Sequence, residues 1–295
     1  RDLHVKPHSF PTRRSSDLSP LPYLDLVGLG LGAFLVCGRV GCLMVGCCTG
    51  RPSRLGVRYR REHVDTGFSS VLVGVRLFPS QALEAAVVLA LTTGGAIRFA
   101  LGARPGAVLA MLAVGYALSR FVIELTRGDR FRPVVGGFSE AQWIAVLAVG
   151  AVLAAGHGGL LPEERWHVAA MVGLGFAMFF ILSWRYLSDT PRHQLLHPRH
   201  IHECAVALDR LGSSPASPGR AITVATTSLG VRLSLAPVAT PSGRIEHVAI
   251  SHRDGPMPIE AARIVTDLIC QLRPSAGRHQ IVCGARGVFH LLIHR

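Results

Sequence analysis

Lysine is almost missing from this sequence: 30 of its 31 basic residues are arginine, and the exception is Lys6. Charge of any kind is scarce. Charged residues make up 17% of the 295 positions, against about 25% in an ordinary soluble domain. Hydrophobic residues make up 49%, and the mean hydropathy is +0.38. That excludes intrinsic disorder, which needs low hydrophobicity together with high net charge. Seven cysteines, an odd number, fall into two separated groups and form no disulfide framework. Acidic residues are few, so the formal net charge is +13, which alone suggests an anionic partner, either nucleic acid or a membrane surface.

The lone lysine marks a foreign segment. His8-Ser9-Phe10-Pro11-Thr12-Arg13-Arg14-Ser15-Ser16-Asp17-Leu18 reads as one translated frame of a widely used short-read sequencing adapter. Residues 1–18 are therefore set aside before any fold reasoning. Without Arg1, Lys6, Arg13, Arg14, Asp2 and Asp17, 27 basic and 16 acidic residues remain, a net +11. On this reading the native N-terminus is missing and the chain is a truncated piece.

What is abundant is apolar sequence in lengths that match a bilayer. Five stretches, at about 24–46, 79–101, 106–126, 139–157 and 167–187, each approach the roughly 20 residues needed to cross the hydrocarbon core. They are rich in Leu, Val, Ala and Gly, and small residues let helices approach closely in lipid. A soluble helical bundle would need polar outer faces instead. Composition changes after Pro191: a His- and Arg-rich stretch and Ser213-Ser214-Pro215-Ala216-Ser217-Pro218-Gly219 read as a linker over 191–220. Beyond it, Ala221–Thr226, Val231–Pro237 and Glu246–His252 alternate apolar and polar residues. Ile259–Leu272 has helical period, and Gln280–Cys283 and Val288–His294 alternate again. The fold class expected is an all-α polytopic membrane unit over 19–190 followed by a small α+β module over 221–295. No phosphate loop, metal-ligand spacing or catalytic triad order marks that module.

Ionisable residues at membrane depth are costly and point to function. Arg39 lies between glycines in Gly38-Arg39-Val40-Gly41, Glu84 follows Pro79 by five residues, and Arg120, Glu124 and Arg127 cluster at the end of the third span. The plain alternatives are an i,i+4 pair between Arg120 and Glu124 and snorkelling of Arg39 and Arg127. Two arginines on different helices near one membrane face instead make a forked phosphate site, and a lipid head group is the obvious anion at that depth. The residual positive charge then belongs to the membrane rather than to nucleic acid.

At this point the residues reach a family. Gly38-Arg39-Val40-Gly41-Cys42-Leu43-Met44-Val45-Gly46-Cys47-Cys48-Thr49-Gly50 resembles the Gly-Arg-x-Gly-Asn-Phe-x-Asn-Gly-Glu-x-x-Gly signature of the bacterial prolipoprotein diacylglyceryl transferases. Phe78-Pro79-Ser80-Gln81-Ala82-Leu83-Glu84 is similar to that family's His-Pro-Ser-Gln-Leu-Tyr-Glu, and Gly115-Tyr116-Ala117-Leu118-Ser119-Arg120 through Glu124 to its Gly-Tyr-Gly-x-x-Arg-x-x-x-Glu. A weaker fourth block is Phe138-Ser139-Glu140-Ala141-Gln142-Trp143. The resemblance implies transfer of diacylglyceryl from phosphatidylglycerol to the lipobox cysteine of a prolipoprotein, in the bacterial inner membrane, with no metal or organic cofactor. It implies that Arg39 and Arg120 hold the phosphate and that Tyr116 and Glu124 orient the head group or Arg120. Gly50, Cys42, Cys47, Ser80, Gln81 and Glu84 would line the substrate site.

Several polar partners of the signature are replaced: its two Asn by Cys42 and Val45, its Glu by Cys47, its His by Phe78 and its Tyr by Leu83. The family's His-Gly-Gly-Leu helix, a candidate for the base, belongs upstream of Ser19, so the chain alone is expected not to catalyse. His157-Gly158-Gly159-Leu160 follows the last matched helix and is taken as coincidence. Two rival readings remain open: a non-catalytic binder of anionic lipid, and a thiol or metal-handling protein built on Cys42, Cys47 and Cys48. The Arg-rich connector 47–78, the connector 127–138 and the tail after 187 share one membrane face. The positive-inside rule makes that face cytoplasmic, whereas the resemblance places the two connectors outside.

Overall fold

The computed structural model of the protein describes residues 19–187, 192–213, 222–240, 243–274 and 278–294. The stretch read as adapter translation, 1–18, lies outside the described residues. Five helices are long and apolar enough to span a membrane: α1 (Leu21–Val45), α2 (Ser80–Ala100), α3 (Ala107–Glu124), α4 (Glu140–His157) and α5 (Arg165–Leu187). Each coincides with an expected stretch to within a few residues. Small residues carry the contacts between them, as at Gly32 of α1, where any Cβ would overlap the Thr92 hydroxyl of α2.

Polar side chains fasten helix ends to one another. Asp25 is buried inside α1, and its carboxylate accepts from the backbone amides of Gly106 at 2.8 Å and Leu109 at 2.7 Å. It thereby caps α3 from a neighbouring helix, with its charge against the positive end of the α3 dipole. α4 starts with a capping box: Ser139 Oγ accepts from the Gln142 amide at 3.4 Å, and Gln142 Oε1 accepts from the Ser139 amide at 3.1 Å. Gln142 Nε2 then reaches the Phe121 carbonyl of α3 at 3.4 Å. Alternating helix direction brings the end of α1, the start of α2, the end of α3, the start of α4 and the end of α5 to one face.

On that face the connector after α1 forms β1 (Pro52–Arg58) and β2 (Arg76–Leu77), an antiparallel pair. The connector after α3 forms the short pair β3 (Val134–Val135) and β4 (Phe138–Ser139). The C-terminal module is a five-stranded antiparallel sheet in the order β5 (Ala225–Thr226), β6 (Val231–Thr240), β7 (Gly243–His252), β9 (Phe289–His294), β8 (His279–Cys283). Its helix α8 (Ile259–Leu272) matches the expected helix residue for residue.

The start of the expected linker is helical instead, as α6 (Arg192–Leu195) and α7 (Pro198–Ser213). Ile201, Cys204, Ala205, Leu208 and Leu211 are buried at helical spacing together with His200, while Arg199 and Arg210 stay exposed. That amphipathic pattern was masked by the density of His and Arg. The remainder of the linker, 214–220, lies outside the described residues. α7 and α8 cover the sheet face carrying Leu233, Ile250 and Leu291. Tyr59, Phe68, Val75 and Leu77 from the α1–α2 connector belong to the same apolar core. The module is thus docked on the connector by shared burial.

Two histidine sites make this module sensitive to acid. His200 is 2% exposed; its Nδ1–H donates to the Leu195 carbonyl at 2.7 Å and Nε2 accepts from the Thr227 hydroxyl at 3.1 Å. Burial pushes its pKa below the ordinary value, and burial together with His290, 2.9 Å away, does the same for His247. Below the ordinary histidine pKa of about 6.5 the unfolded chain takes up protons that the folded one refuses, so stability is lost as pH falls. Unfolding of the module, followed by circular dichroism, should shift to lower temperature between pH 7 and pH 5. The shift should shrink in a His200→Gln, His247→Gln double variant. An unchanged shift in that variant would refute the assignment.

Candidate functional site

The site lies where α1, α2 and α3 meet at the face bearing the connectors. Its centre is Glu84, fully buried in the first turns of α2. Glu84 Oε1 takes Arg39 Nη2 of α1 at 2.9 Å and the Tyr116 hydroxyl of α3 at 3.0 Å. Glu84 Oε2 faces Arg120 Nη1 at 3.9 Å and Arg127 Nη1 at 3.8 Å. Three guanidiniums from separate segments thus share one carboxylate. Arg120 also pairs with Glu124 at 3.1 Å, the i,i+4 contact expected on a helix. Tyr116 thus donates to the same carboxylate that Arg120 faces.

Beyond this centre lies a second ring that the sequence reading did not assign. Arg132 pairs with Glu124, and Arg127 and Arg132 both pair with Asp129, at 2.8 and 3.1 Å. Arg51 donates from Nε to the Arg127 carbonyl at 3.2 Å. These connector charges looked like ordinary interfacial residues because nothing local ties them to Glu84. Arg39, Arg51, Arg120, Arg127 and Arg132 stand against Glu84, Glu124 and Asp129, five positive charges to three negative. A cavity of about 270 Å³ opens among Arg51, Glu124, Arg127, Arg132, Arg185 and His197. Burial, then the charge of Arg185, lowers the Arg51 pKa. Burial opposes the charge on Arg127 as well, but Asp129 and Cys48 outweigh it and raise that pKa.

Arg120 Nη1 and Arg127 Nη1 are buried and donate no hydrogen bond. Both face Glu84 Oε2, which also lacks a hydrogen-bond partner; because buried donors are almost always satisfied, each fork keeps a donor for a second anion beside that carboxylate.

The expected substrate residues gather beside it. Ser80 Oγ donates to the Cys48 carbonyl at 3.2 Å and Gln81 Nε2 to the Cys47 carbonyl at 2.5 Å, so both side chains hold the turn after α1. Gln81 Oε1 is buried and has no hydrogen-bond partner. Gly50 is clamped between two segments: its amide donates to the Phe78 carbonyl at 2.9 Å, and a Cβ there would lie 2.6 Å from that oxygen. Gly50→Ala should therefore destabilise the protein by about 1–3 kcal/mol through forced backbone displacement, measured by thermal unfolding in detergent. A neutral effect would show that the two connectors separate easily.

Cys42, Cys47 and Cys48 come together, with their three sulfurs within 4.8 Å of one another. The Cys47 thiol is pushed up to about 12 by burial, by its hydrogen bond with Cys42 and by Cys48, so as a free thiol it stays protonated. His157 stands at the far end of α4, about 25 Å along the helix from the Gln142 end, and cannot serve this site.

A family model described as prolipoprotein diacylglyceryl transferase matches residues 9–156, half of the chain, starting inside the stretch read as adapter. The chain is 31% identical over 139 residues, 45% of its own length and 50% of the relative, to phosphatidylglycerol–prolipoprotein diacylglyceryl transferase 2 of Clostridium perfringens (strain 13 / Type A). It is 27% identical over 131 residues, 44% of its length and 50% of the relative, to phosphatidylglycerol–prolipoprotein diacylglyceryl transferase of Clostridium tetani (strain Massachusetts / E88). The chain spans about half the length of these curated relatives. No solved structure matches it significantly. With the family's arginine and glycine positions assembled into one buried site and its model covering all of α1 to α3 and nearly all of α4, the chain belongs to the prolipoprotein diacylglyceryl transferase family.

Proposed function

We propose that residues 19–190 bind phosphatidylglycerol in the bacterial inner membrane and serve the transfer of its diacylglyceryl group to a prolipoprotein cysteine. The observation that carries this reading is the pair of buried, unbonded donors, Arg120 Nη1 and Arg127 Nη1, set beside Glu84 at one end of an apolar bundle. An anion with an apolar tail fits such a place, because its tail lies along the helices while its phosphate meets the forks.

In the reaction the acceptor sulfur attacks the glyceryl carbon next to the phosphate ester oxygen. The carbon–oxygen bond breaks, and glycerol phosphate leaves with the electron pair. Charge grows on the phosphate as the bond breaks, and preorganised guanidiniums lower the barrier at that moment. Glu84 and Tyr116 keep Arg39 and Arg120 from collapsing elsewhere, and Glu124 holds Arg120 from the other side.

Expressing the protein from its full-length gene and incubating it in phosphatidylglycerol vesicles with a synthetic lipobox peptide tests the reading. Mass spectrometry should find a diacylglyceryl thioether on the peptide cysteine, and none when phosphatidylcholine replaces phosphatidylglycerol. Tight, arginine-dependent phosphatidylglycerol binding without any thioether would instead favour a non-catalytic lipid binder.

A further inference from the structure

We infer, building on the transferase reading, that Cys42, Cys47 and Cys48 form an open three-thiolate site for zinc or a like thiophilic d10 cation, whose fourth ligand is the acceptor thiol. Tetrahedral zinc with sulfur ligands at about 2.3 Å needs sulfurs about 3.8 Å apart. The three here lie within 4.8 Å, so closing on an ion takes side-chain movements of an ångström or less. All three are free thiols. No His, Asp or Glu joins the group among the described residues, and three protein ligands with one open position is the pattern of catalytic rather than structural zinc.

The backbone is built to hold them. Gly46 at φ +81° reverses the chain after α1, and Cys48 follows in the left-handed region at φ +58°, where a side chain is strained. Gln81 and Ser80 pin the carbonyls of Cys47 and Cys48. The Tyr59 hydroxyl donates to the Leu43 carbonyl at 3.1 Å. Thiols used only as apolar filler would be enclosed, whereas Cys42 and Cys48 are half-buried and the Cys47 residue as a whole is exposed, its sulfur only partly covered by its neighbours. Cys47 and Cys48 line a cavity of about 540 Å³ that Arg127 and Arg132 also line. Three thiolates and a divalent ion carry one net negative charge, and a fourth thiolate makes two. Arg127, which lines the same cavity as Cys48, and Arg39, on the last turns of α1, offset that charge.

Zinc in this place would do what the free cysteines cannot. A thiol that coordinates zinc gives up its proton. The acceptor R–SH becomes zinc-bound R–S⁻ and its proton passes to solvent. The sulfur pair then forms the carbon–sulfur bond, the carbon–oxygen pair goes to the phosphate, and the thioether, a poor ligand, leaves the metal.

The test uses the full chain in detergent with Co(II) as the probe. One equivalent of cobalt should give sulfur-to-metal charge-transfer absorption and strong tetrahedral d–d bands. Cys42→Ser, Cys47→Ser or Cys48→Ser should each weaken binding at least about tenfold, while Cys283→Ser, on a distant strand, leaves it unchanged. A lipobox peptide should shift the d–d bands, and its Cys→Ser version should not. No thiolate signature, or a spectrum indifferent to the peptide thiol, overturns the inference even if phosphatidylglycerol still binds through the arginines. A peptide-responsive cobalt spectrum in a protein that never forms thioether upholds the thiol site and refutes the transferase reading instead.

Discussion

Glu84→Ala should cost about 3–5 kcal/mol of stability, the loss expected when one member of a buried ion cluster is removed. Glu84 is fully buried and is the carboxylate common to Arg39, Arg120 and Arg127. Without it three guanidiniums face one another in a place where water is scarce, and the Tyr116 hydroxyl loses its acceptor. Glu84→Gln should cost less, because the amide oxygen can still accept from Tyr116 while only the charge is lost. Thermal unfolding in detergent, read for both variants, checks this order. A Glu84→Ala protein within about 1 kcal/mol of the parent would mean that the arginines neutralise one another through solvent or lipid, as weak surface pairs do.

The second large effect falls on chemistry. On the proposed function, Arg39→Ala and Arg120→Ala should each lower thioether formation by about 10²–10³-fold, the usual loss when a preorganised donor to a developing anion is removed. Arg→Lys at either position should not restore full activity, because one ammonium cannot reproduce a planar fork that serves Glu84 and a phosphate together. Neither variant should unfold as readily as Glu84→Ala, since the carboxylate keeps its other partners. Initial rates with purified variants of verified fold decide the point. Activity within about threefold of the parent in both, well short of that loss, would remove these arginines from the phosphate site.

The membrane helices were legible because lipid imposes a length: twenty apolar residues in a row have few other uses. α8 was legible because its core positions repeat with helical period and Arg263 is its one basic residue. α7 was hidden by composition, since His and Arg crowd its start, although Ile201, Cys204, Leu208 and Leu211 carried the pattern. In the site, Arg39, Glu84 and Arg120 stood out as charges at membrane depth. Arg127 stood out with them, though snorkelling was its plain alternative, whereas Asp129 and Arg132 did not, because a charge in a connector is unremarkable until folding places it in such a network. The docking of the module on residues 59–77 had no local signal. Tyr59, Phe68, Val75 and Leu77 are spread through a polar stretch, and only partners more than a hundred residues away make them core.

That shared core sets an order on biogenesis. The α1–α2 connector is synthesised before the strand that completes the sheet, Phe289–His294, with about two hundred residues between them. Until that strand is made, the core that Tyr59, Phe68, Val75 and Leu77 share with the sheet stays incomplete. The helices can enter the membrane one after another during synthesis, but this core closes only after all five have been made. Its closure is therefore a long-range step that follows membrane insertion.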